Sequence, residues 1–180
     1  MRIIKSPLEV PNLQAQDAEI AGFIDEIDSD FIKLFLGQKN QPKPLMLCSG
    51  GTSSRCAANG LLTLDFRKRY KEINYMPDTK EVVIQSGVKM KELLDKLTEN
   101  KRSFPIGLSG NVGIGYILTG GISPLSRKYG LAIDQILEIE GIWGNGNDFR
   151  ISKPSELSPK LEHLKWKGLT GAAAFLGIVT

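Results

Sequence analysis

Between Ser109 and Asp134 the chain reads SGNVGIGYILTGGISPLSRKYGLAID. Gly110, Gly113, Gly115, Gly120, Gly121 and Gly130 sit there among Val, Ile and Leu rather than in a polar linker. Glycine has no Cβ, so it admits positive φ and lets main-chain N–H groups come close to a ligand or to other backbone. Glycines embedded in apolar sequence therefore predict buried backbone brought into close approach. The rest of the chain has to be built to satisfy that requirement.

Two further small-residue segments share this character. Leu45-Met46-Leu47-Cys48 reads as a short buried strand running into Ser49-Gly50-Gly51-Thr52-Ser53-Ser54, a turn whose N–H groups could hold an anion. Near the end, Thr170 to Gly177 precedes an apolar run closing on Ile178-Val179-Thr180. Tight turns and close packing also use glycine. Three such segments in one small domain are explained together by a long phosphate-bearing ligand lying across several loops.

The dinucleotide fingerprint fails on spacing, because Leu118 stands where a third glycine should follow Gly113 and Gly115. No G-x-x-x-x-G-K-[ST] occurs either. His163 is the only histidine and lies in a polar stretch beside Glu162 and Lys165. It has no second ligand spaced to help it hold a metal, and a Ser-His-Asp triad finds no other imidazole. The formal charge of +3 is small and dispersed, so nucleic acid is not an expected partner; Arg67, Lys68, Arg69 and Lys71 read as a solvated turn. Cys48 and Cys56 read as a free thiol pair in a reducing compartment. Pro7 and Glu9 interrupt any signal-peptide core, and no apolar run approaches the ~20 residues of a membrane span. These features predict a cytoplasmic protein without a membrane partner.

Along the chain, Arg2 to Lys5 reads as a short strand. Ile20, Phe23, Ile24, Ile27, Phe31, Leu34 and Phe35 recur at helical spacing and predict one core-facing helix from Asp17 to near Gly37, followed by a loop over 39–44. Leu61 to Asp65 reads as a strand, and Ile73 to Tyr75 with Glu81 to Gln85 as a hairpin turning at Pro77-Asp78. Met90, Leu93, Leu94 and Leu97 mark an amphipathic helix. Leu137, Ile139 and Trp143 alternate into Gly144-Asn145-Gly146-Asn147, a strong hairpin signal, and Pro154 and Pro159 mark a surface loop. The chain closes on an apolar strand without a polar tail, which predicts a piece of something longer. The class expected is α+β, with two small lobes at roughly 1–75 and 76–180.

In this order the segments resemble the FAD-binding domain of the vanillyl-alcohol oxidase and p-cresol methylhydroxylase type, nearest to its berberine-bridge-enzyme-like and sugar-oxidase members. LCSGGTSS stands in the place of that family's Gly-Gly-His-Ser loop, LLTLDF matches a strand ending in Asp, and VVIQSGVKMKELLDKL matches a strand–helix unit. Pro105 to Leu137 carries the most specific match, and the final FLGIVT is similar to the family's Asn-Phe-Gly-Ile-Val-Thr. The resemblance implies FAD between two α+β lobes, its pyrophosphate on main-chain N–H groups of Ser49, Gly50, Gly51, Thr52, Ser53 and Ser54. Ser109, Asn111, Val112, Gly113 and Gly115 would line the flavin and ribityl side, Gly120 and Gly121 would close the turn, and Gly177 and Ile178 would contact the cofactor through their backbone.

Thr52 and Ser109 stand where many relatives carry the histidine and cysteine that bond the flavin, which implies non-covalent FAD. Ala172-Ala173-Ala174 replaces a run of glycines, implying a different local shape there, such as a helical turn. The substrate domain of the family would begin beyond Thr180, so no catalytic base is assigned. An FAD-dependent oxidoreductase completed by further sequence or a partner chain is the resulting expectation. A flavin-free structural or interaction module is the alternative, and a nucleotide-binding protein unrelated to flavin is a third.

Overall fold

A computed structural model of the chain describes residues 2–37 and 44–180. Among these, residues 2–28, 44–104 and 109–115 form one compact unit, and residues 29–37, 105–108 and 116–180 form a second. Each unit draws on several stretches of chain. Helices and sheets are mixed in both, and the α+β class holds.

The first unit begins with α1 (Leu13–Gln16) and β1 (Gly22–Ile24) and continues with β2 (Leu45–Cys48) and β3 (Leu62–Asp65). The strands make a parallel sheet in the order β1-β3-β2. Central strands of parallel sheets are covered on both faces and read as unbroken buried runs. Accordingly Thr63 and Leu64 of β3 are wholly buried, and the Thr63 hydroxyl donates to the Cys56 carbonyl at 3.3 Å. Leu8, Val10, Ala15, Cys48, Cys56 and Ala57 pack into one apolar cluster beside this sheet. At the end of β3, Arg67 grips Asp65 with two hydrogen bonds of 2.8 and 2.7 Å and donates to the Glu9 carbonyl at 2.8 Å. This arrangement fastens the N-terminal segment.

The hairpin expected around Pro77-Asp78 is present as β4 (Ile73–Met76) and β5 (Glu81–Ile84). The amphipathic helix that follows is α3 (Met90–Glu99), counting Ser29–Leu36 below as α2. Met90, Leu93 and Leu97 are its buried face, the spacing of one helical stripe. Its first turn is completed by Glu92, whose Oε2 accepts the Lys89 N–H at 2.7 Å and pairs with Lys71.

The predicted helix from Asp17 to Gly37 is not formed, which corrects the periodicity reading. Gly22 takes φ +139°, and a Cβ there would lie 2.5 Å from the Ile3 side chain and 2.9 Å from the Ile4 carbonyl. Phe23 instead exchanges two hydrogen bonds with Ile4, at 2.9 and 3.0 Å. Ile4 contributes only this isolated bridge, not the expected strand from Arg2 to Lys5. Only the later part is helical, as α2 (Ser29–Leu36), and it belongs to the second unit. Part of the expected loop over 39–44 lies outside the described residues.

The second unit continues with α4 (Ile114–Leu118), whose first two residues fall in the first unit, and α5 (Ser126–Tyr129). Then come β6 (Glu138–Trp143), β7 (Asp148–Ser152), α6 (Lys160–Leu176) and β8 (Gly177–Val179). The three strands form an antiparallel sheet ordered β7-β6-β8, so the Gly144 to Asn147 hairpin is where its sequence placed it. Lys33 of α2 pairs with Asp148 at 2.7 Å. Helix α6 was not expected from sequence. Its apolar residues do not keep one stripe, since Leu161 and Leu164 are exposed while Leu169 and Ala173 are buried, and Gly168 and Gly171 interrupt it. Thr170, Gly171 and Ala172 leave helical geometry, so the alanine run straddles a kink and the turn that follows it.

Burial draws the Glu92 carboxyl upward, but hydrogen bonds from Lys71 and the Lys89 N–H, with the charges of both lysines, outweigh it and hold it below the ordinary value of 4.5. A depressed carboxylate stabilises the fold above its unfolded pKa, and that contribution disappears as pH falls through the folded value. Glu92→Gln keeps an oxygen for the Lys89 N–H but removes the ion pair with Lys71, so it should cost about 0.5 kcal/mol in urea unfolding near neutral pH. The gap between variant and wild type should close as pH falls below about 4.5.

Candidate functional site

In the first unit two of the small-residue segments meet backbone to backbone. A Cβ added to Gly50 would lie 2.3 Å from the Gly113 nitrogen, and one added to Gly113 would lie 2.1 Å from Ser49 Oγ and 2.5 Å from the Gly50 nitrogen. No side chain fits at either position without moving main chain. Ser49 Oγ closes the junction, donating to the Ser86 carbonyl at 2.6 Å and accepting the Ile114 N–H at 3.0 Å. Next to it, Lys89 pairs with Gly113, and the Val112 carbonyl accepts the Met90 N–H at 2.9 Å. Strand β2, helix α3 and the head of α4 thus converge on one point.

The turn that leaves this junction is held from the N-terminal segment. Gly51 has φ +71° with Val10 and Pro11 against it, and its carbonyl accepts the Asn12 N–H at 3.1 Å. The Asn12 amide also donates to the Thr52 carbonyl at 3.3 Å, while its Oδ1 caps α1 by accepting from Ala15. Ser53 turns inward on the chain, its Oγ accepting the Arg55 N–H at 3.1 Å to start the 3-10 turn Ser54–Cys56. The Gly51, Thr52 and Ser53 carbonyls and the Ser53 hydroxyl of the turn are occupied in this way. Its N–H groups, from Gly50 to Ser54, donate to no protein acceptor among the described residues. A succession of uncommitted N–H groups on a fixed turn is suited to an anion.

Behind the turn the Cys48 and Cys56 thiols are free, buried and hydrogen-bonded to each other. The bond and burial push Cys48 up, while the same bond draws Cys56 down.

The second segment of the first unit has several distinct roles. Ser109 and Asn111 are exposed, with Ser109 Oγ accepting the Asn111 N–H at 3.3 Å. Val112 and Gly113 belong to the junction. Gly115, in the first turn of α4, is exposed, and a Cβ there would meet open space. Packing therefore does not explain glycine at 115, whereas it explains glycine at 50 and 113.

The remaining predicted residues lie in the second unit. The Gly120 and Gly121 carbonyls accept the Ile133 and Ala132 N–H groups, each at 3.0 Å, and Gly121 packs at φ +75° against Ala132 and the Tyr116 ring. Tyr116 also donates to the Ile122 carbonyl and lies over Gly107. Gly177 and Ile178 pair with Trp143 and Ile142 in the sheet. A Cβ on Gly177 would lie 2.4 Å from the Ile142 carbonyl, so sheet packing accounts for that glycine. Sequence reasoning missed Asn12 and Ser86. Pro11-Asn12 carries a helix-start signal, but nothing in it points to a turn forty residues away.

Gly113→Ala should lower stability by about 2–3 kcal/mol in urea unfolding, because the overlap falls on backbone and on a fixed hydroxyl. Gly115→Ala should leave stability unchanged or raise it by up to about 1 kcal/mol, since alanine is the better helix former and meets no obstacle.

Residues 37–152 match the family model of the FAD binding domain. Berberine bridge enzyme-like 24 of Arabidopsis thaliana is 35% identical over 121 residues, which cover 66% of this chain and 21% of that protein. The FAD-linked oxidoreductase janO of Penicillium janthinellum is 29% identical over 174 residues, 94% of this chain and 37% of that protein. Among solved structures, BBE-like 1 of Physcomitrella patens aligns with a TM-score of 0.81 at 26% identity, covering 96% of this chain and 37% of its own. Xylooligosaccharide oxidase of Myceliophthora thermophila C1, in complex with xylobiose, aligns at 0.77 and 26% identity, covering 89% and 34%. The chain spans between a fifth and two fifths of the length of these proteins. With an anion-suited turn and a junction of two glycine segments inside the matched region, the chain belongs to the FAD binding domain family, and FAD is its cofactor.

Proposed function

We propose that this chain is the flavin-binding part of an FAD-dependent oxidoreductase and holds FAD without a covalent bond. The observation that carries the reading is the run of N–H groups from Gly50 to Ser54, uncommitted among the described residues on a turn whose Gly51, Thr52 and Ser53 carbonyls are occupied. These donors would take the pyrophosphate, with charge-assisted hydrogen bonds from backbone to phosphate oxygen. Gly115 supports a close approach of the cofactor along Ser109 to Gly115, because it keeps a surface open that alanine would narrow while favouring the helix. Bound FAD supplies the redox chemistry, and the chain contributes position and a fixed set of dipoles.

Thr52 and Ser109 support non-covalent attachment, since a hydroxyl is a weak nucleophile without a base to activate it, and Ser109 Oγ accepts the Asn111 N–H. Substrate contacts and the catalytic base are assigned to sequence outside this chain, in keeping with the longer relatives. The free thiols Cys48 and Cys56 fit a reducing, cytoplasmic compartment.

The test is the visible absorption spectrum of the purified protein supplied with FAD, before and after acid precipitation. Flavin absorbance that travels with the folded protein and passes entirely into the acid supernatant is the expected result. Colour retained in the pellet would overturn the non-covalent reading. No uptake at all would favour a flavin-free module.

A further inference from the structure

We infer that the Ser49 hydroxyl is a positioning group for FAD: it closes three chain segments into one frame and does not itself bond the cofactor. The inference rests on the function proposed above. A serine hydroxyl has one proton and two lone pairs. The proton of Ser49 is given to the Ser86 carbonyl at 2.6 Å, and one lone pair takes the Ile114 N–H at 3.0 Å. What is left is an acceptor, and a phosphate oxygen needs a donor. The hydroxyl therefore has nothing to offer the pyrophosphate, although it is the side chain at the head of the turn.

Its effect on binding is indirect. Leu47 to Gly50, Ser86 to Val88 and Val112 to Ile114 are far apart in sequence and are joined at this oxygen. Beside it the Gly50 and Gly113 backbones touch with no room for a Cβ. The turn from Gly50 to Ser54 starts at this junction, and so does the surface running to Gly115. Removing the oxygen leaves a carbonyl and an N–H without their partner and frees the two ligand-facing segments to move independently. Each would then have to be ordered by FAD when it binds, which costs affinity.

Three versions of the full-length protein test this, wild type, Ser49→Ala and Ser49→Thr, by FAD titration and by amide exchange of the FAD-free protein. The expected result for Ser49→Ala is an FAD dissociation constant about tenfold higher, the equivalent of one ordinary hydrogen bond. Exchange at Ile114 should also be faster, while strand β3 is unchanged. Ser49→Thr, which keeps the oxygen, should stay close to wild type in both. FAD affinity unchanged in Ser49→Ala would overturn the inference. So would weaker FAD binding with unaltered Ile114 exchange, which would make the hydroxyl a direct ligand. If Ser49→Ala does not fold, Ser49→Thr decides: near-wild-type binding supports the role of the oxygen, and a tenfold loss overturns it. A wild-type protein that takes up no FAD is the failure of the proposed function, recognisable because it needs no variant.

Discussion

The contact of Gly50 with Gly113 is the constraint on which the described site depends. Two backbones approach there to a separation that excludes a Cβ on either, and beside them Ser49 pairs with the Ser86 carbonyl and the Ile114 N–H. Buried main-chain groups without partners are costly. Dense hydrogen bonding beneath the turn is therefore the condition for packing it so closely. Asn12 does the same from the other side, holding the Gly51 and Thr52 carbonyls. With the Gly51, Thr52 and Ser53 carbonyls engaged by the protein, the turn offers its N–H groups.

Glycine has different roles at different positions of the chain. At Gly113 it answers a steric demand of the fold, and at Gly177 a demand of the antiparallel sheet. At Gly115 no packing demand is visible, and alanine would favour the helix. Only the last kind of position distinguishes a ligand from close packing.

Much of the fold was legible in the sequence because its signals are local. Strand β2, strand β3, both hairpins and α3 were read from short apolar runs, turn residues and the spacing of Met90, Leu93 and Leu97. The helix predicted from Asp17 to Gly37 failed where a long-range contact won: Phe23 pairs with Ile4, and Gly22 takes a conformation that ends helical geometry. Of the residues that fit one helical face, Phe23 and Ile24 went to β1 and Phe31, Leu34 and Phe35 to α2. Helix α6 escaped for the opposite reason, since its apolar residues mark no single stripe and its glycines read as a loop. In the site, the glycine segments were visible in sequence, but Asn12, Ser86 and the use of the Ser49 proton were not.

The sequence by itself determined which segments carry unusual backbone and to which family their order belongs, because glycine spacing and short apolar runs are properties of neighbouring residues. Tertiary structure alone decided that the Ser49 turn and the Gly113 segment form one junction, and that Gly50 and Gly113 are needed for each other. These are contacts between residues about sixty positions apart. Which hydrogen bonds such residues make depends on where the sheet and α3 bring them, and no local pattern encodes that.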